Sequence, residues 1–137
     1  MTQTNRLNVY QNVPAAIEAF MKVEAVLGES DLDPLLRHLV KLRVSQINGC
    51  AFCVDMHIRE AREDGETAQR IDMVVVWQNT DLFSPAEKCA LAWAEALTTH
   101  GTGADLNALY RALLEHFSVK QVDALTLVIV MINNWNR

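Results

Sequence analysis

The chain reads as an all-α protein. Apolar residues recur at helical spacing along nearly every segment, no stretch alternates convincingly as a strand, and capping residues mark three helix starts. Pro14 to Leu27 places Ala15, Ile17, Phe20, Met21 and Val23 to Leu27 at mostly helical spacing, and Gly28-Glu29-Ser30 ends the run. Asp33 then stands as an N-cap with Pro34 at the first helical position. Leu35, Leu39 and Leu42 form an apolar stripe running towards Ile47, and Ser45-Gln46-Ile47-Asn48-Gly49 reads as a helix end and a turn. A new helix opens near Cys50, passes through His57 and Ile58 into the charged stretch Arg59 to Asp64, and stops at Gly65. Glu66 to Trp77 is expected as another helix, although Val74-Val75-Val76 alone would suit a strand.

Ser84-Pro85-Ala86-Glu87 is a capping box with proline at N1, and its helix runs to about Thr98, before a break at His100-Gly101-Thr102-Gly103. Asp105 to Phe117 follows. Ser118-Val119-Lys120-Gln121 is a second capping box and opens the last helix. From Val122 to Trp135 that helix is apolar around most of its circumference, a pattern that calls for burial on several sides. A small domain covers such a helix poorly by itself, so a homo-oligomer is expected.

The 137 residues suffice for one domain, expected over residues 1–137. Half of them are hydrophobic and the formal net charge is -5, with no Lys/Arg run, which argues against nucleic acid or an anionic membrane surface as a partner. Met1 to Arg6 lack the apolar stretch of a signal peptide, and the longest apolar stretch, Ala124 to Ile132, is too short to span a bilayer. A cytoplasmic location is expected. Three cysteines do not make a structural disulfide framework. Cys89, in an alanine-rich helical stretch, reads as core packing.

Cys50-Ala51-Phe52-Cys53 with His57 is the constellation that carries chemistry. Thiols at i and i+3 share one helical turn, and an imidazole four residues after the second falls on the same face. At a helix start the dipole and free N–H groups favour a thiolate. A thiolate that attacks a peroxide oxygen becomes a sulfenic acid as the O–O bond breaks, and a neighbouring thiol condenses with it to a disulfide. Cys53 is the candidate attacking thiol because His57 lies one turn on, with Cys50 resolving. The reverse assignment is open, since Cys50 is nearer the helix end. His57 suits proton transfer. His38 lies beside the Leu35/Leu39/Leu42 stripe, where a boundary histidine is the ordinary reading, and His100 and His116 read as surface residues. Zinc on Cys50, Cys53, His57 and His38 has the right ligand number, but the pair sits in a helical pattern and no second C-x-x-C or H-x-x-x-H is present. A thioredoxin-type fold is disfavoured for want of a strand-helix-strand pattern. A redox sensor whose pair oxidises once remains an alternative.

The stretch from Leu35 to His57, with its string Ser45-Gln46-Ile47-Asn48-Gly49-Cys50-x-x-Cys53-x-x-x-His57, closely resembles the core of the alkylhydroperoxidase D-like branch of the carboxymuconolactone decarboxylase family. Arg6-Leu7-Asn8 with Pro14, and Ile132 to Arg137, resemble the family's terminal segments. The resemblance implies an all-helical fold assembling as trimers or hexamers, and thiol-dependent reduction of peroxides without metal or organic cofactor. It implies that Cys53 is peroxidatic, Cys50 resolving and His57 part of a proton relay. A dithiol reductant, a lipoyl-bearing or thioredoxin-like protein, would restore the thiols. Decarboxylase members lack the cysteine pair, so lactone decarboxylation is the weaker expectation. One position departs: peroxidase members usually carry a glutamate twelve residues before the first cysteine, and here His38 stands there. An imidazole passes a proton but lacks a fixed negative charge, so weaker peroxidase activity or a different substrate is expected.

Overall fold

The side chains placed ahead of the helices fix where they begin. In the computed structural model, which describes residues 7–100 and 103–137, Ser84 Oγ accepts the Glu87 N–H at 3.1 Å and Glu87 accepts the Ser84 N–H at 2.8 Å. Ser118 and Gln121 repeat the exchange at 3.1 and 2.9 Å, and Asp33 Oδ1 accepts the Leu35 N–H at 2.8 Å. Each such cap contributes about 1 kcal/mol by satisfying amides that a helix start leaves bare. Thr67 and Asp105 cap in the same way. The elements are α1 (Val9–Asn12), α2 (Pro14–Gly28), α3 (Pro34–Asn48), α4 (Ala51–Glu63), α5 (Ala68–Met73), a 3-10 segment (Val74–Asn79), α6 (Pro85–Thr98), α7 (Leu106–Leu114) and α8 (Val119–Asn136). The described residues hold no strand. Arg6, part of the expected terminal segment, and Gly101-Thr102 of the expected break lie outside them.

Three details differ from expectation. Residues 66–77 do not make one helix: α5 starts only after Thr67, and the chain tightens into the 3-10 segment, with Val76 at a non-helical φ of -120° and ψ of 29°. Three successive β-branched valines are poor helix formers. Burial of Val74 and Trp77, with the Trp77 Nε1–H donating to Glu95 at 2.8 Å, sets the path instead. Helix α7 ends at Leu114, ahead of Phe117. The four-residue α1, capped by Asn8, is too short to leave a periodic signal.

Helix α3 is the centre of the molecule. It packs against α4, α6 and α8, burying Leu36, Leu39, Val40, Leu42, Val44 and Ser45. Helix α8 buries Val122, Leu125, Val128, Ile129, Met131 and Ile132, yet leaves Leu127 50% and Val130 52% exposed. No helix among the described residues is long and apolar enough to cross a membrane.

The turn between α3 and α4 is closed by a left-handed glycine. Gly49 has φ +69°, its N–H donates to Gln46 O at 3.2 Å, and the Cys50 N–H donates to Ser45 O at 3.1 Å. Asparagines brace it from α8. The Asn48 side chain donates to Asn133 at 2.8 Å and Asn136 at 3.0 Å, and Asn136 donates to buried Ser45 at 3.1 Å.

A Cβ on Gly49 would meet nothing within 4 Å, so only the backbone conformation resists a side chain there. Gly49→Ala is therefore expected to lower stability by about 1–2 kcal/mol in urea unfolding of the oxidised protein. A loss under about 0.5 kcal/mol would show that the left-handed turn is not held in place.

Candidate functional site

Cys50 is the N-cap of α4, and its Sγ accepts the Cys53 N–H at 3.3 Å. The two cysteines are joined as a disulfide across the first turn, with Cα atoms 5.3 Å apart. Their surroundings differ. Cys53 is 5% exposed, whereas Cys50 is half-buried and is the more accessible residue of the two.

His57 follows one turn on and is 3% exposed. Its Nδ1 lies 3.2 Å from Glu60 Oε2, and its Nε2 is buried without a hydrogen-bond partner. An ionised carboxylate only accepts, so Nδ1 carries the hydrogen of the neutral ring and Nε2 the lone pair. Burial pushes His57 below the usual histidine range. The hydrogen bond and charge of Glu60 oppose that shift, while Lys41 and His38 add to it.

His38 has another setting. Its Nε2 lies 2.6 Å from Asp64 Oδ2, and its Nδ1 is 3.9 Å from the same Glu60 oxygen that meets His57. The order across α3 and α4 is thus Asp64, His38, Glu60, His57.

A cleft of about 550 Å³ opens on the disulfide. Cys50, Cys53, His57 and Glu60 line one side, and His38 is not part of its wall. Tyr10, Met21, Phe52, Met56, Ile132 and Trp135 give it an apolar lining from α1, α2, α4 and α8. Lys41 and Glu24 complete it as an ion pair of 3.6 Å, and the Trp135 Nε1–H donates to Glu24 at 2.9 Å. Two other clefts of about 510 and 560 Å³ carry no thiol, so chemistry and not size selects this one.

The sequence reading brought Cys50, Cys53 and His57 into one register, and the structure places all three in the wall of one cleft. Glu60, three residues past His57 on the same helix, escaped it although the spacing was visible. Glu24 and Lys41 escaped it because only the tertiary fold brings them there. Cys89 is free, half-buried and packed against the core, where burial pushes its thiol up. His100 and His116 are exposed. Among the described residues no group of His, Cys, Asp or Glu is arranged to hold a metal ion.

The model of the carboxymuconolactone decarboxylase family matches residues 12–96, a span containing both cysteines, His57 and Glu60. The chain belongs to the carboxymuconolactone decarboxylase family. It is similar to the uncharacterized protein YdfG of Bacillus subtilis, 40% identical over 98% of this chain and 91% of that one. A solved structure from Agrobacterium tumefaciens, a protein of unknown function proposed as the antioxidant defence protein AhpD, superposes with a TM-score of 0.89 at 39% identity. The match covers 98% of this chain and 92% of that one. The alkylhydroperoxidase AhpD core of a peroxidase-related protein from Ralstonia eutropha shares the fold, with a TM-score of 0.80 at 21% identity over 94% of this chain and 69% of that one. The chain is thus an alkylhydroperoxidase D-like member of the family.

The histidine gives a pH prediction. Because folding lowers the His57 pKa below 6.5, the unfolded chain binds the extra proton first as pH falls. Its contribution is complete above the unfolded value and is lost as pH drops from there to the folded value. The stability of oxidised protein should therefore decline on acidification below about pH 6.5, the unfolded value, by at most about 1.4 kcal/mol per unit from this one site. His57→Asn should flatten that part of the profile. Parallel profiles for the two proteins would remove the inferred shift.

Proposed function

We propose that this protein is a thiol-dependent peroxidase that reduces hydrogen or organic hydroperoxides with the Cys50/Cys53 pair. The observation carrying this reading is the buried His57, its Nε2 without a partner, in the wall of the cleft that holds both sulfurs. The family membership and the alkylhydroperoxidase D-like relatives support it.

In the reduced protein His57 takes the proton of Cys53, whose unperturbed pKa of about 8.5 would leave it only a few per cent ionised at neutral pH. The Cys53 thiolate attacks the terminal oxygen of the hydroperoxide, and the O–O bond breaks. Cys53 becomes a sulfenic acid, and the departing alkoxide takes the proton from His57 as the alcohol. Cys50, whose thiolate is favoured by the Cys53 N–H and the helix start, attacks the Cys53 sulfur. The hydroxyl leaves with the Cys50 proton as water, and the disulfide forms.

A dithiol reductant, lipoyl-bearing or thioredoxin-like, attacks the accessible Cys50 sulfur, and Cys53 leaves as thiolate. Closure of the reductant's own disulfide then frees Cys50. Hydroperoxide and dithiol become alcohol, water and disulfide, and no cofactor is needed. His38 acts in this scheme through Glu60, at one remove from the cleft. A homotrimer or homohexamer covers the exposed Leu127 and Val130 of α8, and the protein works in the reducing cytoplasm. Its net charge of -5 fits neither nucleic acid nor a membrane as partner.

One observation favours a second order of events. The hydrogen bond to Cys50 Sγ also suits Cys50 as the first attacker. Steady-state consumption of cumene hydroperoxide with excess dihydrolipoamide separates these possibilities. The wild type should turn over continuously, and Cys53→Ser should lose roughly a hundredfold or more. A first-turnover burst that survives in Cys53→Ser but not in Cys50→Ser would reverse the order. Consumption of one peroxide per pair followed by arrest would make the protein a redox sensor.

A further inference from the structure

We infer that Glu60 is the positioning residue for His57: its carboxylate holds the Nδ1–H and so presents Nε2 as the atom that takes the Cys53 proton. The inference rests on the peroxidase reading for the direction of proton transfer, while the pairing itself rests on geometry.

The buried imidazole has two nitrogens and one polar partner. Glu60 Oε2 is 3.2 Å from Nδ1, and Nε2 has none. Without a carboxylate at Nδ1 the two neutral tautomers would differ little, and a ring with its hydrogen on Nε2 could not accept a proton there. Glu60 fixes the choice. It sits at i+3 from His57, where helix geometry brings the two side chains together without a loop to order.

No other charged group can take this role. From α3, His38 has its Nε2 on Asp64 and reaches only Glu60, at 3.9 Å from its Nδ1. Lys41, also on α3, carries a positive charge and pairs with Glu24 of α2. Glu24 in turn accepts from Trp135 of α8. The negative charges nearest the site are thus divided: Glu24 answers Lys41, Asp64 answers His38, and Glu60 alone answers His57. Glu60 has a second property that suits the task. Its side chain is 42% exposed and lines the cleft, so a carboxylate in contact with water touches a ring that is 4% exposed. It reaches a ring that burial would otherwise leave without a partner.

The test compares wild type with Glu60→Gln, Glu60→Ala and Glu60→Asp. Nitrogen-15 NMR of the His57 ring in the reduced proteins reads tautomer and titration without any turnover. The wild-type ring should be the Nδ1–H form. Glu60→Ala should show mixed tautomers, and Glu60→Gln should titrate at lower pH than wild type because the charge is gone. The acid limb of hydroperoxide consumption should move to lower pH in Glu60→Gln, and kcat should fall roughly tenfold with KM within about twofold. Glu60→Asp should recover part of that loss. An unchanged His57 ring in both Glu60→Ala and Glu60→Gln overturns the inference, whatever the activity. A wild type that shows the expected ring behaviour but consumes no hydroperoxide supports the pairing and overturns the peroxidase reading instead.

Discussion

The site depends on a turn of two residues, Gly49 and Cys50. Gly49 takes a left-handed conformation that an L side chain resists, which lets the Cys50 N–H close back on Ser45 O and sends the chain antiparallel into α4. That reversal makes Cys50 the N-cap, puts Cys53 in the first turn and sets His57 one turn deeper against α3. The polar ladder of Asn48, Asn133, Asn136 and Ser45 ties the turn to α8, the helix that also brings Ile132 and Trp135 to the cleft. One set of hydrogen bonds therefore fixes both the position of the thiols and the wall opposite them.

Within that frame two effects compete at His57. Burial favours the neutral ring, and Glu60 favours the charged one; burial prevails. A base that is neutral at rest and has a carboxylate behind it can accept a proton and hold it briefly. A fully exposed histidine would be protonated in part at neutral pH, and a buried one without Glu60 would have no partner for the charged ring. The two cysteines differ in exposure as well, Cys53 buried beside the cleft and Cys50 half-buried.

What the sequence disclosed was local. The capping residues Asp33, Ser84 and Ser118 begin helices because their bonds span two or three residues, a distance the sequence displays directly. Cys50, Cys53 and His57 were legible for the same reason, and the string around them pointed to the family to which the chain belongs. The region from Glu66 to Asn79 was not. Its path follows Trp77 reaching Glu95 and Arg70 reaching Glu87, contacts with another helix 17 or 18 positions away. The Glu24–Lys41 pair and the Trp135 hydrogen bond were likewise hidden, because 111 positions separate Glu24 from Trp135. Glu60 was in plain sight but carried no motif.

The central claim is that Cys53 is the sulfur that meets the peroxide. Reduced Cys50→Ser protein cannot close the disulfide, so an oxidised Cys53 would persist long enough to be captured. The decisive measurement adds one equivalent of cumene hydroperoxide in the presence of dimedone and locates the adduct by peptide mass spectrometry. The account predicts a sulfenic-acid adduct on Cys53, formed much faster than in the Cys50→Ser/His57→Asn protein. No adduct on Cys53, or one confined to Cys89, would contradict it.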